Sequence, residues 1–548
     1  MTGVPGSRTR RIAVIGGGPA GLFFARMVGL LCPGTAIDVY ERRAPGQAPG
    51  FGVTLSARAM AGVAAADPDT HHRIVEAGRP LSGVEVRISG ARLAYPGFGA
   101  TSVSRAALLG LLADRAREVG ARIHHRHVVG TGEDGPRIDA EADVVVLADG
   151  AASVHRAARA ATFGTTVRTG HSRFVWLGTS ADFGDVSSLV FQPTEYGPMA
   201  AHCYSHGPGA STVVVEMDDA TWRNAGLHGA EVVDGSALDL LSEVFAEHLQ
   251  GSPLVSHRSR WRRFEVVRNR RWHDGRSVLL GDAAHTAHFT VSSGTKLALE
   301  DAHALASAVA EHDDPRAAFR QYGARRHGPV ARTQFLSETS MHWWETVRTR
   351  MHLPPEQFGM HFVTRSGAVG AQGLLRRFPD RVAEAEEEFL RRNAGTGQLA
   401  DTPVAAPLRL GGTRFPSRLV RASAVRDGFL WLEDHGSTAR ARFGFLPSPE
   451  GPEWSADGDR LVLTARDIRD RGAAGVVIPA GQSWDETTRF ASRIRHEAGL
   501  AVAVALPSEP GAHVVGAGEA DLWSQVRLAL IAGRIDLVAV PGAAAISS

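Results

Sequence analysis

The sequence contains very little lysine and cysteine, no excess of either charge and no long apolar run. Of its 548 residues, 60 are Lys or Arg and 58 are Asp or Glu, so the net charge of +2 gives no signal for nucleic acid or an anionic membrane. The two cysteines, Cys32 and Cys203, exclude a disulfide framework, an iron–sulfur site and a structural zinc site, so we expect no metal and a cytoplasmic location. Glycines and Arg26 interrupt the apolar stretch that follows Arg10-Arg11, which argues against an export signal or a membrane span.

Residues 11–31 have the pattern of a strand, a glycine turn and a helix. The run RIAVI is short and β-branched, as in a buried parallel strand. The glycines that follow have the G-x-G-x-x-G spacing, in which the first permits a tight turn, the second lets a pyrophosphate approach and the third lets the helix pack closely. Proline suits the first turn of a helix, and the helix N-terminus favours phosphate. The nucleotide contacts predicted here are Gly16, Gly18, Pro19, Ala20 and Gly21.

The next predicted strand, residues 36–40, is followed by an acid at the distance that a dinucleotide site requires. Glu41 lies 20 residues after Gly21, where a carboxylate accepts a hydrogen bond from the adenosine ribose. Arg42 either pairs with the adenosine phosphates or is simply exposed. A glycine-rich turn without a nucleotide is the alternative, and the motif alone does not separate NAD from FAD.

Two later segments separate these cofactors. DVVVLADGAASVHR predicts a strand that ends at Asp149, followed by Ser153 and Arg156. SVLLGDAAHTAHFTVSSGTKLALEDA predicts a strand that delivers Asp282 and a glycine-containing loop that leads into a helix near Thr295. In this order, the three motifs resemble the flavoprotein aromatic hydroxylases of the para-hydroxybenzoate hydroxylase type. The resemblance implies that Asp282 holds the FAD ribityl chain and that Asp149 and Arg156 lie near the pyrophosphate and the passing nicotinamide cofactor.

The resemblance narrows to the branch that contains salicylyl-CoA 5-hydroxylase and 2-aminobenzoyl-CoA monooxygenase/reductase. It covers residues 10–392 and is carried by FGVTLS, RFVWLGTS, AAHCYSH and TAHFTVSSGTKLALEDA. It implies noncovalent FAD, reduction by NADH or NADPH, O2 as co-substrate, and a phenol-like aromatic or heteroaromatic ring that attacks a flavin C4a-hydroperoxide. Many relatives carry a proline pair where this chain has His288-Phe289, so their accounts of flavin movement do not transfer.

Further residues are expected at FAD. Relatives place an Arg or Gln at the helix start occupied by Arg105, where it bonds the ribityl or phosphate region; a solvated charge is the alternative. Lys296 is the only lysine and lies at the start of a helix with Gly294 and Thr295, which we also assign to FAD. Its ammonium and the helix N-terminus would stabilise negative charge at flavin N1 and the C2 carbonyl, unless the lysine is retained by chance.

Residues 170–265 alternate between apolar and polar, which predicts an antiparallel sheet with one buried face. In relatives such a sheet covers the flavin ring and encloses an aromatic substrate. The substrate wall is assigned to Trp176, Phe289 and Val53, although Trp176 could equally be core. A base that withdraws the proton of the ring hydroxyl would activate the ring, and the candidates are His202, Tyr204 and His288. Histidines in a chain with 24 of them are usually structural.

The C-terminal part resembles an eroded old-yellow-enzyme barrel. PLRLGGTRFPSRLVRAS, RDRGAAGVVIPAG, AGLAVAVALP and AGRIDLVAVPG are similar to pieces of such barrels, and they follow a linker at 391–407. The segment is shorter than the about 250 residues of an eight-fold barrel. Its histidines, His435, His496 and His513, form no H-x-x-H or H-x-x-N pair, and no tyrosine follows Tyr322. We therefore expect no FMN and no ene-reduction; the domain could pack on the flavoprotein core or form a homo-oligomer contact.

Together these patterns predict an α/β protein with a Rossmann-like FAD-binding domain, an inserted antiparallel substrate sheet and a small C-terminal α/β domain that resembles a reduced barrel. The predicted FAD-binding parts are 8–169, including a substrate-sheet segment near 76–98, and 268–392; the substrate sheet is 170–267 and the C-terminal domain 393–548. The predicted activity is FAD-dependent monooxygenation of an aryl-CoA or a natural-product intermediate. A bifunctional monooxygenase/reductase and a flavin-binding protein without hydroxylase activity are the alternatives, while a flavin halogenase would need a W-x-W-x-I-P segment that the sequence lacks.

Overall fold

The computed structural model describes residues 10–541 except 49, 133, 230, 395–398, 427–428, 435–437, 482 and 507–518. The chain divides into two compact units, residues 1–341 and 342–548. The domain limits expected from the sequence stay predictions.

The described strands of the first unit form two large sheets and one small one. They are β1 (Arg11–Ile15), β2 (Ala36–Glu41), β3 (Gly52–Ser56), β4 (Arg79–Ile88), β5 (Ala91–Ser104), β6 (Arg122–His125), β7 (Val144–Leu147), β8 (Thr165–Thr169), β9 (Arg173–Thr179), β10 (Val186–Gln192), β11 (Met199–Gly207), β12 (Ala210–Met217), β13 (Leu254–Val255), β14 (Glu265–Asn269), β15 (His273–Asp274) and β16 (Ser277–Leu279).

The helices connect and cover these sheets. They are α1 (Pro19–Leu31), α2 (Ala57–Ala66), α3 (Pro68–Ala77), α4 (Arg105–Glu118), α5 (Asp134–Glu141), α6 (Val154–Ala158), α7 (Ala160–Phe163), α8 (Asp219–Asn224), α9 (Gly235–Val244), α10 (Ala246–Leu249), α11 (Gly294–Glu311) and α12 (Pro315–Glu345), and Gly281–Ala283 and Phe289–Val291 form 3-10 turns.

The first large sheet is the nucleotide-binding sheet, with the order β15-β16-β7-β1-β2-β6. All of its pairings are parallel except that of β15 with β16. The strand Val144–Leu147 is buried throughout, because a parallel sheet is covered on both faces, and α1 packs closely against α11. The predicted Rossmann-like domain is confirmed, and the carboxyl ends of β1, β7 and β16 carry the three motifs.

The second large sheet has the order β13-β9-β12-β11-β10-β4-β5-β3. Its pairings are antiparallel except that β10 runs parallel to β4. Alternate residues of β12, such as Val213 and Val215, pack with Leu241 of α9 in a buried core. The remaining residues of β9, β11 and β12 point to the opposite face, and that face carries the candidate site.

The second unit is built around a small closed barrel. Its elements are α13 (Pro355–Thr364), α14 (Ala371–Arg377), α15 (Pro379–Asn393), β17 (Leu408–Leu410), β18 (Thr413–Phe415), β19 (Leu419–Arg426), β20 (Phe429–Asp434), β21 (Arg440–Phe445), α16 (Ala456–Asp470), β22 (Gly475–Pro479), α17 (Trp484–Arg493), β23 (Ala501–Ala505), α18 (Glu519–Ile531) and β24 (Leu537–Pro541), with short helical turns at Val347–Arg350 and Ile494–Ala498.

Six strands, β19 to β24, close this barrel, and the predicted reduced α/β barrel is confirmed. β20 is antiparallel to both of its neighbours, while the other pairings are parallel. A cluster that includes Phe443 and Leu537, with alanines such as Ala441 and Ala503, fills the interior, and small side chains suit so narrow a barrel. His496 is buried beside the barrel, whereas His435 and His513 lie outside the described residues.

Candidate active site

The turn after β1 has the geometry of a phosphate-binding loop. Gly16 has a φ of +113°, and a Cβ there would lie 2.2 Å from the Ala148 carbonyl oxygen. A Cβ on Gly21 would lie 2.1 Å from the Gly16 carbonyl oxygen, so both positions require glycine. A Cβ on Gly18 would meet no heavy atom within 4 Å, and no side chain caps the N-terminus of α1. Free first-turn amides beside open space suit a pyrophosphate.

Glu41 is fixed beside this loop at the end of β2. Its Oε2 accepts a hydrogen bond from the Gly17 amide at 2.9 Å, and its Oε1 accepts one from the Arg43 amide at 2.8 Å. A carboxylate has about four lone-pair directions, so two remain for a ribose hydroxyl. The Arg43 guanidinium lies 3.6 Å from Glu41, whereas Arg42 is exposed. The sequence interpretation chose Arg42 and missed Arg43; the phosphate role of Arg42 stays a prediction.

Asp282 and Arg105 lie in one charged cleft. Asp282, in the 3-10 turn after β16, is open to solvent although protein surrounds it on most sides. This desolvation raises the pKa of its carboxyl, and the charges of His285 and Arg105 oppose the rise. Arg105 begins α4, and its amide donates to the Phe51 carbonyl at 2.8 Å. Its Nε is buried without a hydrogen-bond partner among the described residues.

Arg156 joins the second and third motifs. Its guanidinium donates hydrogen bonds to the carbonyl oxygens of Ala283 at 3.2 Å and Ala151 at 2.5 Å. Burial lowers the pKa of Arg156, and the nearby Asp149 carboxylate opposes this shift. Asp149 Oδ1 is buried and accepts no hydrogen bond from any described residue. Arg156 thus links the loop after β7 to the loop after β16. Oδ1 of Asp149 is left to accept a hydrogen bond from a ligand.

The predicted helix near Thr295 begins at Gly294. The side chain of the preceding residue, Ser293, makes no capping hydrogen bond to it. The first turn therefore leaves amide donors for a ligand. Lys296 lies in this turn with its side chain mostly buried, and its Nζ is 3.5 Å from Oε1 of Glu300, one turn further along α11. Glu300 also accepts a hydrogen bond from Arg326 at 2.8 Å. The ammonium of Lys296 thus lies beside a carboxylate that it shares with another cation.

Four of the proposed substrate and catalytic residues meet around Phe289. The Phe289 ring centroid lies 6.0 Å from that of Trp176, 5.5 Å from that of His202 and 4.3 Å from that of His288. Trp176 and His202 share one face of the sheet, because both stand opposite Val214 of β12. The sheet and the loop after β16 therefore bring these aromatic side chains into one cluster.

The contacts of Tyr204 and Val53 are with other parts of the first unit. The Tyr204 hydroxyl donates a hydrogen bond to the Gly52 carbonyl at 2.8 Å, and burial raises its pKa. Val53, on β3, is partly buried and packs against the core of the nucleotide-binding sheet.

The sequence interpretation missed Glu216, which lies between the two histidines. Its Oε2 is 3.4 Å from Nε2 of His202, and its Oε1 is 4.0 Å from Nε2 of His288. The signal was present in STVVVEM of β12, where a single acid follows apolar residues, but the partners come from other strands and loops.

These observations fit bound FAD. The glycine turn has no side-chain cap, and Glu41 keeps lone pairs for a ribose hydroxyl. Arg105 and Asp149 hold buried polar atoms without partners among the described residues, and Arg105 lies near Asp282. No described helix is long and apolar enough to cross a membrane. Within the described ranges, no group of three or more His, Cys, Asp or Glu is placed to bind a metal.

The fold and this site define an FAD-dependent aromatic monooxygenase. The family model described as the FAD binding domain matches residues 9–334, and the chain belongs to this family. The predicted dependence on FAD is confirmed, with NAD(P)H and O2 as the general co-substrates of the class.

Two relatives show the extent of the similarity. The chain is 34% identical over 527 residues to a salicyloyl-CoA 5-hydroxylase of a Streptomyces species, covering 93% of this chain and 99% of that protein. It is 36% identical to the 3-hydroxy-4-methyl-anthranilyl-[aryl-carrier protein] 5-monooxygenase of Streptosporangium sibiricum, covering 66% of this chain and 96% of that protein. Among solved structures, 2-methyl-3-hydroxypyridine-5-carboxylic acid oxygenase matches 68% of this chain and 98% of its own with a TM-score of 0.52 at 19% identity, which supports the fold alone.

Proposed function

We propose that this monooxygenase hydroxylates a phenol-like aromatic or heteroaromatic ring that is carried on a CoA thioester or forms part of a natural-product intermediate. The observation that carries the proposal is the aromatic site around Phe289, with Trp176 and His202 facing it from the sheet. The similarity to a salicyloyl-CoA hydroxylase along nearly the whole chain favours a carrier-bound substrate.

Within this proposal, each motif residue holds one part of FAD. Gly16, Gly18, Pro19, Ala20 and Gly21 bind the pyrophosphate with Arg42, Glu41 binds the ribose, Asp149, Arg156, Arg105 and Asp282 hold the phosphate and ribityl region, and Gly294, Thr295 and Lys296 face the ring. FAD held by these residues would supply hydride acceptance from NADH or NADPH and activation of O2, while the protein would orient the substrate ring and exclude water. Trp176, Phe289 and Val53 form the substrate wall.

Among the three candidate bases, the geometry favours His202. Its side chain is 11% exposed, whereas that of His288 is 2% exposed beneath Phe289. The Tyr204 hydroxyl already donates to a carbonyl, and its raised pKa makes its anion scarce at neutral pH. Removal of the ring hydroxyl proton by His202 would raise the electron density of the ring and so its reactivity.

The test is substrate-stimulated oxidation of NADH and NADPH by the FAD-loaded chain, with mass analysis of the product. Salicyloyl-CoA should stimulate oxidation and gain one oxygen, while free salicylate should stimulate it much less. Equal turnover of both compounds would contradict a carrier-bound substrate. A panel of hydroxylated aryl thioesters and free hydroxyaromatics that gives no stimulation would instead favour the flavin-binding protein without hydroxylase activity.

For the second unit we propose that the barrel binds no flavin and contributes to a homo-oligomer. The packed barrel interior and the lack of a His/Asn or Tyr constellation in the sequence support this over a bifunctional monooxygenase/reductase. Heat-released flavin should be FAD alone, at one per chain, and light scattering should give a multiple of the chain mass. FMN in the purified protein, or a monomer, would contradict the respective half of the proposal. The cytoplasmic location stays a prediction.

A further inference from the structure

We infer that Glu216 is a positioning residue of the active site, which orients the imidazole of His202 and raises its affinity for a proton. The inference deepens the proposed function and rests on it for the role of His202. Neither the aromatic wall nor the FAD motifs use this carboxylate, and yet it is one of the most deeply buried acids of the first unit, at 2% exposure.

The register of the sheet places Glu216 beside His202. In β12 and β11, His202 stands opposite Val214, and Ala200 stands opposite Glu216. The carboxylate is therefore two residue pairs further along, on the same face as the imidazole. The reach between the side chains is 3.4 Å from Oε2 to Nε2. An offset pair of this kind on one sheet face lies within reach of long side chains.

The burial of Glu216 requires compensation. A buried carboxylate is costly unless hydrogen-bond donors or positive charge lie beside it. Glu216 has one imidazole on each oxygen, with His288 Nε2 at 4.0 Å from Oε1. His288 is itself fixed, because its Nδ1 lies 2.9 Å from the Thr290 hydroxyl, which lies 2.9 Å from the Ser340 hydroxyl. The carboxylate is thus held between an anchored histidine and the more accessible His202.

This arrangement determines which nitrogen of His202 acts on a substrate. In the tautomer that places the proton on Nε2, 3.4 Å from the Glu216 carboxylate, Nδ1 is the basic nitrogen of the neutral ring. In the proposed step the O–H bond of the substrate ring breaks, its electron pair stays on the oxygen, and the proton forms a bond to Nδ1. The resulting imidazolium is stabilised by the Glu216 carboxylate, as a nearby opposite charge favours the protonated form.

The titrating groups that lie around His202 in the described part of the chain include Glu216, His288 and Tyr204. Glu216 faces it from β12, His288 from the loop after β16, and Tyr204 lies on its own strand. The rings that β9 and the same loop bring against the site, Trp176 and Phe289, do not titrate. Glu216 is the one acid among these groups, so we expect its substitution to change the proton affinity of His202 the most.

The direct test needs no substrate. In the FAD-loaded full chain with labelled histidine rings, the His202 resonance is assigned through His202→Asn and its pKa is followed by NMR. Glu216→Gln should lower this pKa by about one unit or more, a tenfold change in proton affinity, and Glu216→Asp should lower it less. The matched control is Glu338→Gln, because Glu338 is also a fully buried acid and its ion pairs are with Arg168 and Arg268. An unchanged pKa in Glu216→Gln, or an equal shift in the control, would overturn the inference.

The catalytic readout separates this inference from the proposed function. With salicyloyl-CoA, Glu216→Gln should lower kcat about tenfold or more, leave KM within about twofold, and move the acidic limb of the pH profile to lower pH. A wild-type chain that is active while Glu216→Gln keeps its kcat and pH profile would overturn the role of Glu216. A wild-type chain without substrate-stimulated oxidation would count against the proposed function, while the NMR titration still decides on Glu216.

Discussion

Two sets of buried polar groups differ in whether the protein satisfies them: those around the FAD motifs of the first unit, and the carboxylates Glu497 and Asp536 of the second. In the first unit, Asp149 and Arg105 keep buried polar atoms that no described protein group satisfies, beside a cleft that desolvates Asp282. In the second unit, the buried carboxylates are bonded by the protein itself. Glu497 lies 3.0 Å from His342, and Asp536 lies 2.9 Å from Arg495. Unsatisfied polar atoms around a cleft indicate a ligand, whereas the same residue types paired with each other stabilise a fold.

Substitution of Gly16 should have the strongest effect on the predicted FAD site of the first unit. Gly16→Ala should destabilise the protein by about 3 kcal/mol or more and abolish FAD binding, because the new Cβ is strained at positive φ and clashes with the Ala148 carbonyl. The matched control is Gly18→Ala, whose Cβ meets no protein atom within 4 Å. It should fold with an unchanged melting temperature for the apoprotein and bind FAD more weakly. Thermal unfolding and flavin fluorescence measure both effects.

Unchanged FAD affinity in a folded Gly18→Ala variant would count against a pyrophosphate at the glycine turn, because only a ligand occupies the space that the new Cβ enters.

The ion pairs of Glu497 in the second unit should contribute to stability and not to FAD binding. Burial raises the pKa of Glu497, but the His342 hydrogen bond and the charges of His342, Arg493 and Arg350 outweigh this and lower it to about 2. Because the folded pKa is depressed, its contribution to stability is present above about pH 4.5 and is lost as the pH falls through about 2. A depression of this size corresponds to about 3 kcal/mol. Glu497→Gln should remove a similar amount at neutral pH and leave FAD affinity unchanged.

Denaturant unfolding from pH 7 to pH 2, followed separately by flavin release and by tryptophan fluorescence, checks this prediction. A loss of FAD affinity in Glu497→Gln would contradict the assignment of this carboxylate to structure alone.

The carboxylate of Asp282 should strengthen FAD binding and lower the stability of the flavin-free protein. Asp282→Asn should weaken FAD binding by about 1–3 kcal/mol, roughly 5- to 150-fold, through loss of a charged acceptor. It should also raise the melting temperature of the apoprotein. The pKa of Asp282 is raised, so its ionised form costs stability as the pH rises through the folded pKa, and the gain should be larger at pH 8 than at pH 4. Calorimetry of the flavin-free protein checks the sign; a destabilised apoprotein would count against a ligand-directed carboxylate.

Much of the fold and of the FAD site could be predicted, because their signals are local. Gly16, Asp149 and Asp282 each follow a strand within one continuous motif, and parallel strands bring their carboxyl ends together. The three parallel barrel strands β22, β23 and β24 were equally visible as short apolar runs that end in proline or alanine.

The remainder depends on contacts between distant segments, which spacing along the chain does not encode. Glu216 meets His202 through the register of β12 on β11, and meets His288 through a loop more than 70 residues away. Arg43, rather than Arg42, turns towards Glu41 because adjacent side chains leave the backbone in different directions. The sequence interpretation assigned a segment near 76–98 to the substrate sheet, but the parallel pairing of β4 with β10 had no signal in the sequence.

Lys296 should have the smallest effect of these residues, because it is a predicted FAD contact that also pairs with Glu300. If its ammonium lies at flavin N1 and the C2 carbonyl, Lys296→Met removes a charge worth on the order of 4 kcal/mol at 4 Å and an effective dielectric of 20. Glu300, at 3.5 Å, already offsets part of that charge, so about 1 kcal/mol is the reasonable remainder. This corresponds to a two-electron potential of bound FAD lower by about 20 mV, since about 30 mV equals about 1.4 kcal/mol.

Glu300→Gln provides the opposite change. It keeps the side-chain volume, frees the ammonium from its carboxylate and should raise the potential, while Lys296→Arg should lie between wild type and Lys296→Met because a guanidinium spreads its charge over a plane. Spectroelectrochemical titration of the three variants beside FAD affinity separates the charge effect from lost binding. If Lys296→Met and Glu300→Gln both keep the wild-type potential, the lysine belongs with the self-paired charges of the second unit, as an ion pair within α11 that stabilises a helix.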